Sequence, residues 1–250
     1  MSWNAGLYDE KHQFVSKYGE SLVEVLAPLP GEKILDVGCG TGDLASEIGK
    51  LGATVYGIDA SASMIEQAKQ KYPTIDFSVQ DASTFRIDLS FDAAFSNATL
   101  HWIKAPDAVA QSIFDALKNG GRFVGELGGA GNIVGITTAI KESLLELGFD
   151  YNETTFPWYF PTEAEYQNVL EQAGFTVEEI MLYERPTPLI GKDGLRNWLK
   201  MFSEQFFNGL TEQEKEQVYD RCEEKSRAVL HDGEQWIADY WRLRFIAKKS

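Results

Sequence analysis

From Lys33 to about Gly129 short apolar runs alternate with segments of helical period, and no other feature of the chain restricts its fold so strongly. "KILDV" reads as a strand followed by a helix from Asp43 to Leu51, and "ATVYGID" as a strand followed by a helix from Ser61 to Tyr72. "IDFSVQD", "FDAAFSN" and "GRFVGEL" read as three more strands, with a helix from about Ala105 to Lys118 between the last two. Strands joined by helical crossovers pair in parallel and carry helices on both faces of a twisted sheet. The expectation is an α/β, Rossmann-like, doubly wound sheet.

In such sheets ligands bind beyond the carboxyl ends of the strands, where neighbouring crossovers leave on opposite faces. The first strand ends there in "DVGCGTGD", with Gly38, Gly40 and Gly42 at every second position. Glycine admits positive φ and lets backbone approach a ligand closely. A dinucleotide site spaces its glycines G-x-G-x-x-G to set pyrophosphate on a helix N-terminus; here the spacing is G-x-G-x-G, and position 43 is Asp. Three acids share the crevice: Asp36 ending the first strand, Asp59 ending the second and Asp81 just after the third. Such a set repels pyrophosphate and attracts a ligand that combines an amine, a sulfonium, a ribose diol and an exocyclic amine, which describes S-adenosylmethionine.

The flanks are read in the same way. A helix from roughly Glu10 to Leu26 precedes the alternation and is stopped by "APLPGEK". Beyond Gly129, "GNIVGITTAIKESLLELG" looks helical, "YNETTFPWYFPT" is an aromatic loop, and Thr162 to Ala173 is a helix opened by a capping box with Glu165. "FTVEEIMLYERPTPL" reads as strand, Lys192 to Asn208 and Thr211 to His231 as a helical pair, and "WIADYWRLRFIAKK" as strand again. The domain reading is a flap over 1–30, a cofactor-binding core over 31–130, and over 131–250 the rest of the core with a cap, including a helical insertion or lid at about 191–231.

A net charge of −15 without a basic stripe argues against nucleic acid, whose phosphates need clustered Lys and Arg. The two cysteines, Cys39 and Cys222, form neither a disulfide framework nor a spaced metal set, so no metal is expected. The N-terminus lacks the pattern of a secretory signal, and no apolar run approaches the roughly 18 residues of a membrane span. The expectation is a cytoplasmic protein, monomer or homodimer, with a small-molecule partner.

"ILDVGCGTG", "VYGIDASASMI", "QDAS" and "FDAAFSNATLHW", in this order, resemble the successive motifs of the class I S-adenosylmethionine-dependent methyltransferases. "NATLHW", "WNAGLYDEKHQF" and the tail are similar to the small-molecule branch that contains trans-aconitate and malonyl-carrier-protein methyltransferases. The resemblance implies a seven-stranded sheet and a cofactor site. In that site Asp36, Gly38, Cys39 and Gly40 line the methionine end, Asp59 accepts the ribose hydroxyls, and Ala60 and Met64 pack on adenine. Asp81 and the backbone of Ala82 meet the adenine edge, and Asn97 brings its backbone near the amino-acid end. The segment carrying Tyr8, His12 and Phe14 closes over the cofactor.

Methyl transfer needs positioning more than acid–base chemistry, because the donor is already activated. A carboxylate acceptor needs no base, only an Arg or an aromatic hydroxyl to hold it; a phenol, amine or carbon acid benefits from one, and His101 and His12 are the candidates. Trp102, at the mouth of the crevice, and Trp158 and Tyr159, in the aromatic loop, are candidate substrate contacts, and Arg185, Arg196, Arg221 and Arg227 are candidate partners for an acid. Carboxyl O-methylation of a small molecule leads, with a carrier-bound acyl group or another O, N or C acceptor as alternatives. A NAD-dependent oxidoreductase and a non-catalytic cofactor-binding module are the competing classes.

Overall fold

The computed structural model describes residues 13–250, with side chains from Gly19 onward except those of Glu20 and Thr155. Seven strands form the main sheet: β1 (Lys33–Val37), β2 (Thr54–Asp59), β3 (Asp76–Val79), β4 (Phe91–Asn97), β5 (Leu117–Gly128), β6 (Phe175–Glu184) and β9 (Trp241–Lys249), in the order β3-β2-β1-β4-β5-β9-β6. Strands β3 to β5 pair in parallel, with Asp36 opposite Gly57 on β2 and Phe95 on β4. β9 runs against β5: Lys249 reaches the Leu117 carbonyl, Phe245 lies over Gly125, Arg244 pairs with Glu126, and Leu243 lies against Gly129. The expected seven-stranded, doubly wound sheet is what the chain forms.

Two compact units divide the chain: residues 1–129, 161–182 and 243–250, and residues 130–160 and 183–242. In the first unit helices α1 (Gln13–Leu26), α2 (Asp43–Lys50), α3 (Ala62–Lys71), α4 (Pro106–Ala116) and α6 (Glu163–Gln172) accompany the strands. Helix α1 turns Leu22, Val23 and Leu26 into a core with Ile34, Ile48, Phe77 and Phe95. Its stop is chemical. Ala27 takes φ 48°, and Arg122, held by Glu32, donates to the carbonyls of Leu26 and Ala27, placing a cation on the negative end of the helix. That ion pair holds the Glu32 carboxyl below its usual range. The capping box read at Thr162 and Glu165 is present.

The second unit contains α5 (Val134–Glu146), α7 (Gly194–Phe202), α8 (Glu212–Leu230) and an antiparallel pair of short strands, β7 (Thr187–Leu189) and β8 (Trp236–Ala238). Arg196 on α7 binds Glu216, Asp220 and Glu223, which share one face of α8 at helical spacing. Two expectations are corrected here. "FTVEEIMLYERPTPL" is two strands, because Pro186 has no N–H to continue a ladder, and "WIADYWRLRFIAKK" breaks at Asp239 and Tyr240, where the chain passes from one sheet to the other. The helix expected over Lys192 to Asn208 ends at Phe202 and continues as a short 3₁₀ turn, Glu204–Phe207. No described helix is long and apolar enough to cross a membrane.

Candidate functional site

The carboxyl ends of β3, β2, β1 and β4 lie side by side in the first unit, and the acids and glycines read from the sequence meet there. After Val37 the chain turns through Gly38, Gly40 and Gly42 at φ 75°, 54° and 85°, a left-handed series that only glycine adopts without strain. The amides of Gly38 and Cys39 both donate to the Ile58 carbonyl, at 2.7 and 3.0 Å, tying the turn to the end of β2. From β4 Ser96 donates to the Val37 carbonyl and Thr99 to the Gly38 carbonyl. Thr99 packs so closely that a Cβ at Gly38 would overlap its side chain, whereas at Gly40 a Cβ would meet nothing within 4 Å. Gly38 is therefore needed for packing as well as for its φ, and Gly40 presents bare backbone to open space.

The three acids have three different environments. Asp36 is 3% exposed, and its Oδ2 has no hydrogen-bond partner among the described residues. Burial, reinforced by the negative charge of Asp59, pushes its carboxyl up to about 8. Asp59 is half-buried and accepts from the amides of Gly40 at 3.1 Å and Ser61 at 2.8 Å; burial raises its carboxyl despite those bonds. Asp81 is exposed and accepts from both the amide and the hydroxyl of Ser83, which lower its carboxyl. An unpartnered, buried carboxylate oxygen is expensive unless something meets it, and a cation is the natural complement.

Asp43 stands where a dinucleotide turn would place glycine. Tyr72 donates to it at 2.5 Å and Lys71 pairs with it at 2.6 Å, so an acid occupies the first turn of α2 that would otherwise receive a phosphate.

Around this frame Cys39, Met64 and Ala82 are buried and Ala60 is exposed. Burial, with the charges of Asp36 and Asp59, drives the Cys39 thiol far above its usual range, so it is no nucleophile. Asn97 ends β4, buried. His101 lies in the 3₁₀ turn Leu100–Trp102 beyond β4, and its Nδ1 accepts from the Gly128 amide at the end of β5, at 3.1 Å. Trp102 packs on His101 with ring centroids 5.7 Å apart. Asp36, Gly38, Cys39, Gly40, Asp59, Ala60, Met64, Asp81, Ala82, Asn97, His101 and Trp102 thus all belong to the first unit. Tyr8 and His12 lie outside the described residues, as does the side chain of Phe14.

Trp158 and Tyr159 belong to the second unit, where Trp158 stacks on Phe160 at 5.7 Å and lies 6.1 Å from Trp198. Of the arginines considered as partners for an acid, Arg196 is bound by its three carboxylates, Arg221 by Glu224 and Glu146, and Arg227 lies over Trp236. The backbone amide of Arg185 donates to the Tyr240 carbonyl, two residues from Arg242. Tyr240 and Arg242 were not singled out from sequence, since "WIADYWRLRFIAKK" reads there as ordinary alternating strand. Ser61 and Thr99, which position Asp59 and the glycine turn, carry no sequence signal beyond their motifs.

The methyltransferase domain family matches residues 35–125. An uncharacterized methyltransferase of Schizosaccharomyces pombe is 35% identical to this chain, covering 99% of it and 98% of the relative. A trans-aconitate 2-methyltransferase of Deinococcus radiodurans is 27% identical, covering 80% of each chain. Among solved structures, the YcgJ protein of Bacillus subtilis matches with a TM-score of 0.66 at 14% identity, covering 92% of this chain and 97% of the other. The phosphoethanolamine N-methyltransferase 2 of Haemonchus contortus, in complex with phosphomonomethylethanolamine and S-adenosylhomocysteine, matches with a TM-score of 0.62 at 18% identity, covering 98% of this chain and 56% of the other. The relative aligned over nearly the whole of both chains, with the glycine turn and its acids at the ends of a 3-2-1-4-5-9-6 sheet, settles the family: the chain belongs to the class I S-adenosylmethionine-dependent methyltransferases.

Proposed function

We propose that this enzyme methylates a carboxylate oxygen of a small-molecule acid. The observation that carries the reading is the state of His101. Because Nδ1 accepts the Gly128 amide, the neutral ring holds its proton on Nε2, where it is a donor and cannot take a second proton without losing the Gly128 bond. A donor suits an acceptor that is already an anion, whereas a phenol, amine or carbon acid would be better served by a base. The name of the Deinococcus radiodurans relative supports the same class of acceptor.

When bound, S-adenosylmethionine supplies a methyl group activated by its sulfonium. The residues present fit that group. Asp36 offers a buried oxygen that a cationic end would satisfy, and Gly40 leaves its backbone approachable. Asp59 orders the turn through Gly40 and Ser61 and keeps lone pairs for the ribose hydroxyls. Met64 and Ala60 would hold the adenine face, Asp81 and the Ala82 backbone its edge, and Asn97 the amino-acid end. Trp102 would contact the acceptor, and His101 would donate to it.

The test is transfer of labelled methyl from S-adenosylmethionine to a panel of small acids, read as base-labile methyl ester. Ester formed on at least one carboxylic acid is the expected result. Label found only on amines, phenols or carbon, in a parallel panel, would overturn the acceptor class and leave the methyltransferase itself intact.

A further inference from the structure

On the face of the sheet that α1 covers, three neighbouring strands each carry an apolar residue and, two positions nearer the crevice, a polar one. Phe95 on β4 and Val124 on β5 belong to the core that α1 builds with Leu22, Val23 and Leu26, and Ile246 on β9 packs against it. Side chains two apart on a strand share a face, so Asn97, Glu126 and Arg244 lie on this side too. Asn97 stands opposite Glu126 in the ladder, and Glu126 pairs with Arg244. A polar row thus crosses β4, β5 and β9 at the end of the sheet where the cofactor site lies.

Two contacts fix α1 to that row. Arg244 donates from Nε and Nη2 to the same oxygen of Glu126, at 2.9 and 2.7 Å, and from Nη2 to the Ser21 hydroxyl of α1 at 3.1 Å. Two residues earlier α1 has Gly19, where a Cβ would lie 2.5 Å from Leu44 Cδ1 and 3.1 Å from Asn97 Nδ2. Glycine weakens a helix interior, and its use here is close approach: the α1 backbone lies against the Asn97 carboxamide.

The end of β4 is held from the sheet as well. The Glu126 carbonyl accepts the Ala98 amide at 2.8 Å, and Ala98 takes φ 55°, a left-handed conformation that a residue with a Cβ keeps only where its surroundings impose it. Thr99 then donates to the Gly38 carbonyl in the glycine turn. Glu126 therefore meets this turn by two routes, directly through its backbone and indirectly through Arg244, Ser21 and α1. Its side chain is buried, 1% exposed. Desolvation offsets most of the attraction in such a pair, and apolar side chains of similar size would join α1 to the sheet as firmly. What they would lack is direction, which the guanidinium fork supplies.

We propose that Glu126 and Arg244 are positioning residues for the cofactor: through Ser21 they fix α1, and α1 at Gly19 fixes Asn97 at the amino-acid end of S-adenosylmethionine. Docking of α1 and binding of that end are then coupled, each favouring the other by the same factor. The proposal rests on the assignment of Asn97 to the amino-acid end and is independent of the acceptor.

The experiment is calorimetric titration of S-adenosylhomocysteine, and of methylthioadenosine, which lacks the amino-acid end, into wild type, Ser21→Ala, Gly19→Ala and Arg244→Lys. Thermal unfolding of each protein is measured without ligand. Wild type should prefer S-adenosylhomocysteine. Each substitution should lower that preference, by about fivefold or more in Gly19→Ala and Arg244→Lys, the low end of coupling between sites, while methylthioadenosine affinity stays close to wild type. Lysine keeps the charge at 244 but has no fork to span Glu126 and Ser21, and alanine is the better helix former, so neither a missing charge nor a weaker helix explains such losses. An unchanged preference in any of the three variants, with only the unfolding midpoint moved, would overturn the proposal and leave the Asn97 assignment standing. Equal weakening of both ligands would overturn it as well, being the signature of a general loss of structure. A wild type that binds methylthioadenosine as tightly as S-adenosylhomocysteine would overturn the Asn97 assignment, and the proposal with it.

Discussion

Replacing Asp36 by Asn removes the most costly charge in the cofactor crevice, and its effect on stability follows from the structure. Burial, with the nearby charge of Asp59, raises the Asp36 carboxyl from its ordinary 3.8 to about 8. The unfolded chain releases this proton near 3.8 and the folded chain keeps it until about 8, so across that window the folded state binds more protons and stability falls as pH rises. Below that window both states are protonated and no penalty exists. Above it both are ionised and the penalty is complete, about 6 kcal/mol; at pH 7 it is about 4 kcal/mol. The amide in Asp36→Asn cannot ionise, but its N–H₂ enters a buried place and costs ~1–3 kcal/mol where it lacks an acceptor. Without cofactor, the variant should therefore exceed the parent in stability by about 3 kcal/mol at pH 8.5. At pH 4 it should show no advantage. Denaturant unfolding at a series of pH values reads both numbers as midpoint shifts at unchanged slope. The same variant should bind S-adenosylmethionine more weakly, and binding to the parent at pH 7 should release a proton, seen as a buffer-dependent enthalpy. Equal pH dependence of the two proteins from pH 4 to 8.5, or a variant less stable than the parent at pH 8.5, would refute the argument that Asp36 is held unsatisfied for a cationic ligand.

Asp59→Ala should weaken S-adenosylmethionine by about 2 kcal/mol, since it removes a charge-assisted acceptor and frees the Gly40 amide at once; an unaltered calorimetric affinity would exclude Asp59 from the site. His101→Gln should lower turnover while S-adenosylhomocysteine affinity stays close to normal. The wild-type pH profile of kcat/KM should lack the rising limb of a histidine base near neutrality, and finding that limb would restore His101 as a proton acceptor.

Much of the first unit was legible because its signals are local. Glycine at positions 38, 40 and 42 announces a left-handed turn from the residue type alone, and the turn has that conformation. The capping box at Thr162 is a pattern of four consecutive residues, and a second one at Thr211 and Glu214, not read from the sequence, has the same form. The second unit was harder because its breaks are imposed from a distance. Nothing in "WIADYWRLRF" tells that Asp239 leaves the ladder to cap α5, more than a hundred residues earlier in the chain. Likewise Arg196 looked like a candidate for an acidic ligand until the fold brought three carboxylates of α8 to it.

What the sequence by itself determined is the alternation that makes the parallel sheet, the glycine turn at its switch point, and the acids placed at the ends of its strands. These depend on backbone preference and on spacing along one stretch of chain, which any residue string displays. What only the tertiary structure decided is the state of each functional group: Asp36 protonated near neutrality, the His101 proton placed on Nε2, and the Tyr240 hydroxyl oxygen engaged by the Trp198 indole. Those states depend on which groups are removed from water and which distant atoms meet them there, as Gly128 meets His101 and Trp198 meets Tyr240. Desolvation and long-range hydrogen bonding are properties of the folded arrangement, so no reading of the residues in order could assign them.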